Sequence, residues 1–174
     1  MIPEAQLVEL EGGLVADNEG WFVVSAREAH WRRRPGRGYS LPFEGKTDFS
    51  QLGVELYVLG PGEPIGMYHW EANQEDFLVL SGEGLLLIEG EERPLWQWDF
   101  VHCPRGTKHI IVGGPCVVLA VGARQHGDPW GGYSVDEVAL RHGAGHDRET
   151  SDAGEAYARF ASSEPARYEE GWLP

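Results

Sequence analysis

The chain has 174 residues, 41% apolar and 24% charged, enough to build one domain around one hydrophobic core and too few for two comfortable ones. Its 14 basic residues face 28 acidic ones, a formal net charge of -14, which repels phosphate backbones and anionic lipid surfaces and argues against nucleic-acid and membrane partners. No apolar run approaches the roughly 18 residues a bilayer span requires, and Met1-Ile2-Pro3-Glu4 is acidic where a secretory leader would be basic, so a cytoplasmic protein is expected. In a reducing compartment, Cys103 and Cys116 read as buried small hydrophobes and not as a disulfide.

Residues 1–50 read as an N-terminal extension packed on the core, with Trp21-Phe22-Val23-Val24 as an extra strand padding its edge. Arg32, Arg33, Arg34 and Arg37 follow as a short basic cluster, read as a solvated loop or a contact with the acidic surface rather than an anion clamp. Residues 51–123 form the core. Short apolar runs at Val54–Leu59, Phe77–Leu80, Leu85–Ile88, Phe100–Cys103, Ile110–Val112 and Cys116–Val121 are separated by Gly, Pro and charged turns, the spacing of an antiparallel sandwich or barrel. The segment Glu89–Pro94 supplies the hairpin connection in the middle of it.

Residues 124–174 form a polar C-terminal extension of the same domain. Asp152-Ala153-Gly154-Glu155 resembles a capping box opening a short helix that carries Tyr157 and Phe160, and Trp172 is expected to pack against the barrel or a second subunit. His126, His142 and His146 lie in Gly-rich surroundings at irregular spacing and read as surface residues.

The chemistry concentrates at His69, Glu71 and Glu75. At offsets of two and four on an extended backbone they share one face with Phe77 and Val79, and the alternate residues Tyr68 and Trp70 point outward toward a covering strand or a subunit interface. Two carboxylates on an inward face are costly unless a cation sits among them, and a divalent metal removes that cost. A second imidazole comes from His109, aimed back by the turn Pro104-Arg105-Gly106-Thr107-Lys108. His102, in the preceding strand, is read as structural and left out of the site.

His69-x-Glu71-x-x-x-Glu75 followed by Gly82 resembles the first motif of the cupin superfamily, and Pro104-x-Gly106-x-x-His109 resembles the second. The resemblance spans about Gly60 to Val121. It implies an all-β double-stranded β-helix, or jelly-roll, barrel with an N-terminal extra strand and a short C-terminal helix and tail. It further implies one divalent ion (Mn, Fe or Zn) on His69, Glu71, Glu75 and His109. Three positions depart from the pattern: Glu71 replaces the usual second His, Trp98 the Gly that opens the second motif, and Gly113 the Asn that closes it.

With Glu71 bound, the site is neutral and hard; with Glu71 swung away, three ligands leave open positions and Glu71 becomes a general base beside the metal. Both arrangements stay open on sequence grounds. The expected function is a metal-binding cupin acting on a small molecule in the barrel, by oxygenase-type or isomerase-type chemistry; the alternative is a non-catalytic small-ligand binder with a structural metal. A homodimer is expected, since barrels of this kind present open sheet edges that the extensions could cover.

Overall fold

The apolar runs of the core become strands because β-branched and aromatic residues alternate with smaller or polar ones over four to eight positions. A computed structural model of the chain describes residues 1–124 and 129–174; His126 lies outside the described residues. The strands, in order, are β1 (Leu7–Leu10), β2 (Gly13–Ala16), β3 (Arg32–Arg33), β4 (Tyr39–Pro42), β5 (Leu52–Leu59), β6 (His69–Glu71), β7 (Glu75–Ile88), β8 (Glu91–Trp96), β9 (Phe100–Cys103), β10 (His109–Ala123), β11 (Gly131–Tyr133) and β12 (Glu164–Pro165). Two short helices, α1 (Glu137–Arg141) and α2 (Ala153–Ala156), fall between β11 and β12. All strand pairings within the main sheet are antiparallel, and β1 with β2 forms a separate hairpin.

Four of the predicted runs merge into two long strands. Phe77–Leu80 and Leu85–Ile88 are both parts of β7, and Ile110–Val112 and Cys116–Val121 are both parts of β10. The two strands pair from His109–Ile88 to Gly122–Glu75, with register shifts between Gly113 and Cys116 and between Val117 and Val118. At this corner Gly82 has φ +76°, and a Cβ there would stand 1.9 Å from the Pro115 carbonyl oxygen, so only glycine lets the strands turn together. Before the corner β7 pairs with β9, and after it with β8, so each half builds a different wall of the barrel.

The central hairpin is tighter than the sequence suggests. Only Glu89 and Gly90 form the turn, with φ of 49° and 80°, and the chain resumes as β8 at Glu91. Positive φ at both central residues is what a two-residue turn with the twist of its strands demands.

Alternation along β5, β7 and β10 divides the apolar residues between two cores. Tyr57, Phe77, Val79 and Val118 belong to one buried cluster with Leu86, Leu87, Ile110 and Ile111. Leu56 and Val117 face out, where Trp31, Leu41, Tyr168 and Trp172 cover them. Trp172 therefore packs on its own chain, with ring centroids 4.1 Å from Tyr39 and 5.2 Å from Trp31.

Trp21–Val24 is not a strand. Trp21 makes a single bridge to Glu4, and Trp21 and Val23 are exposed, so the apolar run has no sheet edge on which to pair. The N-terminal strands lie on either side of it instead. Helix α2 is a single turn capped by the Asp152 carboxylate, which accepts from the Gly154 and Glu155 amides; Tyr157 closes it and Phe160 lies in the following turn. Helix α1, with Asp136 as its cap, carries the same kind of signal in a stretch where the sequence reading placed no element. Cys103 and Cys116 are buried free thiols. Among the described residues, no helix is long and apolar enough to cross a membrane.

Candidate metal centre

His69 and Glu75 do not share one continuous strand. The chain bends at Ala72–Gln74, and β6 leaves β7 to pair with β10, placing His69 opposite His109. Glu75 and His109 meet although their ladder positions lie at opposite ends of the β7–β10 pairing. Thirteen extended residues cover about 43 Å, so the two side chains can touch only because the ladder closes on itself around a barrel. The turn that delivers His109 is fastened to the first motif: the Gly106 amide donates to the Glu71 carbonyl at 2.8 Å, and Thr107 N–H to the Pro104 carbonyl. Trp70 lies beside Gly132 of β11, the strand that covers β6, and Tyr68 is buried below the loop after α1, its amide donating to the Ala144 carbonyl.

His69 Nε2 stands 3.3 Å from Glu75 Oε2, and His109 Nε2 stands 3.2 Å from the same oxygen. One ligand atom each from His69, Glu75 and His109 lie within 4.8 Å of one another. Donors about 2.1 Å from a common ion lie about 3.0 Å apart at octahedral and about 3.4 Å apart at tetrahedral angles, so these spacings fit a single small divalent cation. Glu71 stands to one side, its Oε1 3.7 Å from His69 Nε2 and its side chain the most exposed of the four.

The imidazoles are oriented for ligation. His69 Nδ1 is 2.8 Å from the Met67 carbonyl oxygen, and His109 Nδ1 is 3.0 Å from that of Thr107. A carbonyl can only accept, so both Nδ1 atoms carry a hydrogen, and each ring, once its Nε2 gives up its proton, turns that bare Nε2 to the centre. His109 Nε2 and Glu75 Oε2 are buried and make no hydrogen bond despite their closeness. Two buried acceptors facing each other call for a positive charge between them, supplied by protons or by a metal.

The electrostatics agree. Burial lowers the His69 pKa, but the Glu71 and Glu75 carboxylates outweigh it and hold the imidazole at about 10. For His109, burial is likewise overcome by the neighbouring Cys103 and Glu75 side chains, giving about 9. Burial raises Glu75, yet the two imidazoles bring it down to about 2.

The cluster opens on an inner cavity of about 190 Å³ whose further walls include Arg34, Tyr57, Tyr133 and Tyr157. Tyr57, Glu71, Glu75, Ala120 and Trp130 also border an outer cavity of about 1040 Å³ beneath the N-terminal extension, so the two spaces adjoin. These aromatic and cationic wall residues are absent from the sequence-level site. Nothing in a lone Tyr marks it as lining a cavity, and Arg34 sits in a cluster read as solvated. Arg32 and Arg33 are exposed, as that reading expects, but Arg34 and Arg37 are half-buried because the turn between β3 and β4 folds them inward.

The remaining histidines lie apart from the site. His102 is exposed and pairs through Nδ1 with Asp76 at 2.6 Å, His142 pairs with Glu92, and His146 Nδ1 approaches the Arg148 carbonyl. The departure at Trp98 has a visible consequence. Its φ is +73°, the left-handed backbone that Gly provides at this position of the motif, here adopted by an exposed aromatic residue. Gly113 packs so tightly on Leu59 and the Gly60 carbonyl that a Cβ would lie 2.6 Å from each.

Residues 55–122 match the family model described as Cupin domain. Among solved structures, the chain is similar to a sugar phosphate isomerase of the cupin superfamily from Silicibacter pomeroyi, with 30% identity, 50% of this chain and 59% of that one covered, and a TM-score of 0.45. It is also similar to the polyketide cyclase RemF from Streptomyces resistomycificus, with 21% identity, coverages of 53% and 70%, and a TM-score of 0.46. A third is a Cupin 2 conserved barrel domain protein from Salinispora arenicola, with 23% identity, coverages of 48% and 72%, and a TM-score of 0.42. The chain thus spans about three fifths of the length of the first of these proteins. No curated protein matches it in sequence.

Proposed function

We propose that the protein is a metal-dependent enzyme acting on a small molecule, with His69, Glu75 and His109 holding one divalent ion and Glu71 moving a proton beside it. The observation that carries this reading is the convergence of three ligand atoms, two of them (His109 Nε2 and Glu75 Oε2) buried and without a hydrogen bond, beside the inner cavity. Two imidazoles and a carboxylate suit Mn, Fe or Zn, and three protein ligands leave positions for a substrate. Such an ion, when bound, supplies Lewis acidity toward a carbonyl or hydroxyl oxygen.

The chain's own groups supply the rest. The Met67 and Thr107 carbonyls fix the ring orientations. Glu71, bordering both cavities, is placed to take a proton from a molecule in the inner one and to return it. Tyr133, its ring 6.1 Å from that of His69, and Tyr157, in edge-to-face contact with it at 5.7 Å, line the same cavity; burial raises the Tyr133 pKa, keeping it a neutral hydrogen-bond donor. Proton transfer without a nucleophile is isomerase-type chemistry. The second reading, oxygenase-type chemistry, is favoured by the two-His, one-carboxylate donor set itself.

Incubation of the metal-loaded protein with small hydroxy and keto acids in deuterated water separates the two. Carbon-bound deuterium appearing in a metal- and Glu71-dependent manner, without oxygen uptake, supports isomerase-type chemistry; oxygen uptake supports the other. Neither signal from any compound, with metal bound, leaves the non-catalytic binder as the better description.

A further inference from the structure

The turn between β3 and β4 presents Arg34 to the cavity, with Arg37 beside it. The Arg34 amide donates to the Gly38 carbonyl at 2.8 Å and the Arg37 amide to the Arg34 carbonyl at 2.7 Å. Gly38 lies so close to β5 that a Cβ would stand 2.2 Å from the Val58 carbonyl oxygen, so the turn is seated directly on the barrel. From there the Arg34 guanidinium lies over the Tyr57 ring at 5.3 Å and lines the same inner cavity as His69, Glu71 and Glu75. Arg37 lies behind it, 4.5 Å over Tyr157 and 5.0 Å over Phe160.

Neither guanidinium has a carboxylate within 4.0 Å among the described residues, although acidic residues outnumber basic ones two to one along the chain. Arg34 Nη1 and Arg37 Nε are buried without a hydrogen-bond acceptor. Stacking on Tyr57 satisfies the face of the Arg34 guanidinium but not its N–H edge, which needs an acceptor in its plane. Other arginines do find carboxylates: Arg124 pairs with Glu44, and Arg167 with Glu9. A divalent ion on His69, Glu75 and His109 would leave the lining of the inner cavity net positive.

We propose that Arg34 is the anion-recognition residue of this site, binding a carboxylate or phosphate group of the small molecule whose other end reaches His69, Glu75 and His109, with Arg37 adding a second positive charge behind it. The inference rests on the small-molecule reading above and narrows it to an anionic substrate. Planar guanidinium groups bind both kinds of oxyanion through paired N–H donors.

The test uses the full chain stripped of metal with a chelator, so that anion binding is read apart from metal binding. Inorganic phosphate and acetate are titrated separately, at matched ionic strength, into the wild type and into Arg34→Gln, Arg34→Lys and Arg33→Gln. The expected result is saturable binding of at least one anion, weakened about tenfold to a hundredfold by Arg34→Gln and less by Arg34→Lys. Arg33→Gln, at an exposed position, should leave it unchanged. Which anion saturates distinguishes carboxylate from phosphate. Metal content, measured in parallel, should survive Arg34→Gln and be lost in His109→Ala, so failure of the metal assignment is seen separately. Equal anion binding by wild type and Arg34→Gln, with circular dichroism unchanged, or no saturable binding of either anion to the wild type, overturns the proposal.

Discussion

Raising the pH should tighten metal binding steeply, because the two imidazoles must give up protons to ligate. In the metal-free protein His69 and His109 hold their protons up to about 10 and 9, against an ordinary value of 6.5. Between pH 6.5 and 8.5 each binding event therefore displaces close to two protons, and the apparent affinity should rise by up to about 100-fold per pH unit. The stability of the metal-free protein runs the other way. The contribution of the raised histidines is complete below pH 6.5 and fades as pH rises through about 9 and 10, while that of Glu75 is present above pH 4.5 and is lost as pH falls toward about 2. Metal-free protein should thus lose thermal stability from pH 7 to 10, whereas metal-loaded protein should not. Chelator competition at several pH values gives the affinity slope, and calorimetry in buffers of differing ionisation enthalpy counts the protons. A slope near zero, with no proton release, would refute the coupling of these imidazoles to the metal.

Other perturbations test the scaffold and the departure from the family motif. Gly82→Ala forces a Cβ into the Pro115 carbonyl at a residue with φ +76°, and should cost about 3 kcal/mol or more in urea unfolding; a loss below about 1 kcal/mol would show that the corner yields. Trp98→Gly relieves left-handed strain at an exposed residue, partly offset by the entropy of glycine in the unfolded chain. It should stabilise by about 0.5–1 kcal/mol, a rise of about 1–3 °C in Tm, and a fall in Tm would mean that the indole has a structural role. Glu71→Ala should keep the metal but abolish turnover of any substrate found; loss of the metal, restored by Glu71→His, would instead make Glu71 a ligand.

Most of the barrel was legible because its signals are local. Alternating apolar residues marked the parts of β5, β7 and β10, and Pro104 and Gly106 marked the turn that delivers His109. Spacing alone could not show that β7 and β10 each continue through a corner, since a glycine ends a strand and bends one with the same sequence signature. The bend at Ala72–Gln74 escaped for a related reason: an offset of four fits one straight strand as well as two strands that converge. Trp21–Val24 had a strand's composition without an edge to pair with, and pairing is a tertiary property. The same limit hid Arg34, which is indistinguishable in sequence from the exposed Arg32 and Arg33 until the turn seated on Val58 separates them.

The central assignment is most directly tested by elemental analysis of protein purified without an affinity tag, for the wild type, His109→Ala and Glu75→Ala, with the fold of each checked by circular dichroism. About one Mn, Fe or Zn ion per chain is predicted for the wild type, with near-complete loss in both variants. An unchanged stoichiometry in folded His109→Ala and Glu75→Ala would contradict the assignment of the metal to His69, Glu75 and His109.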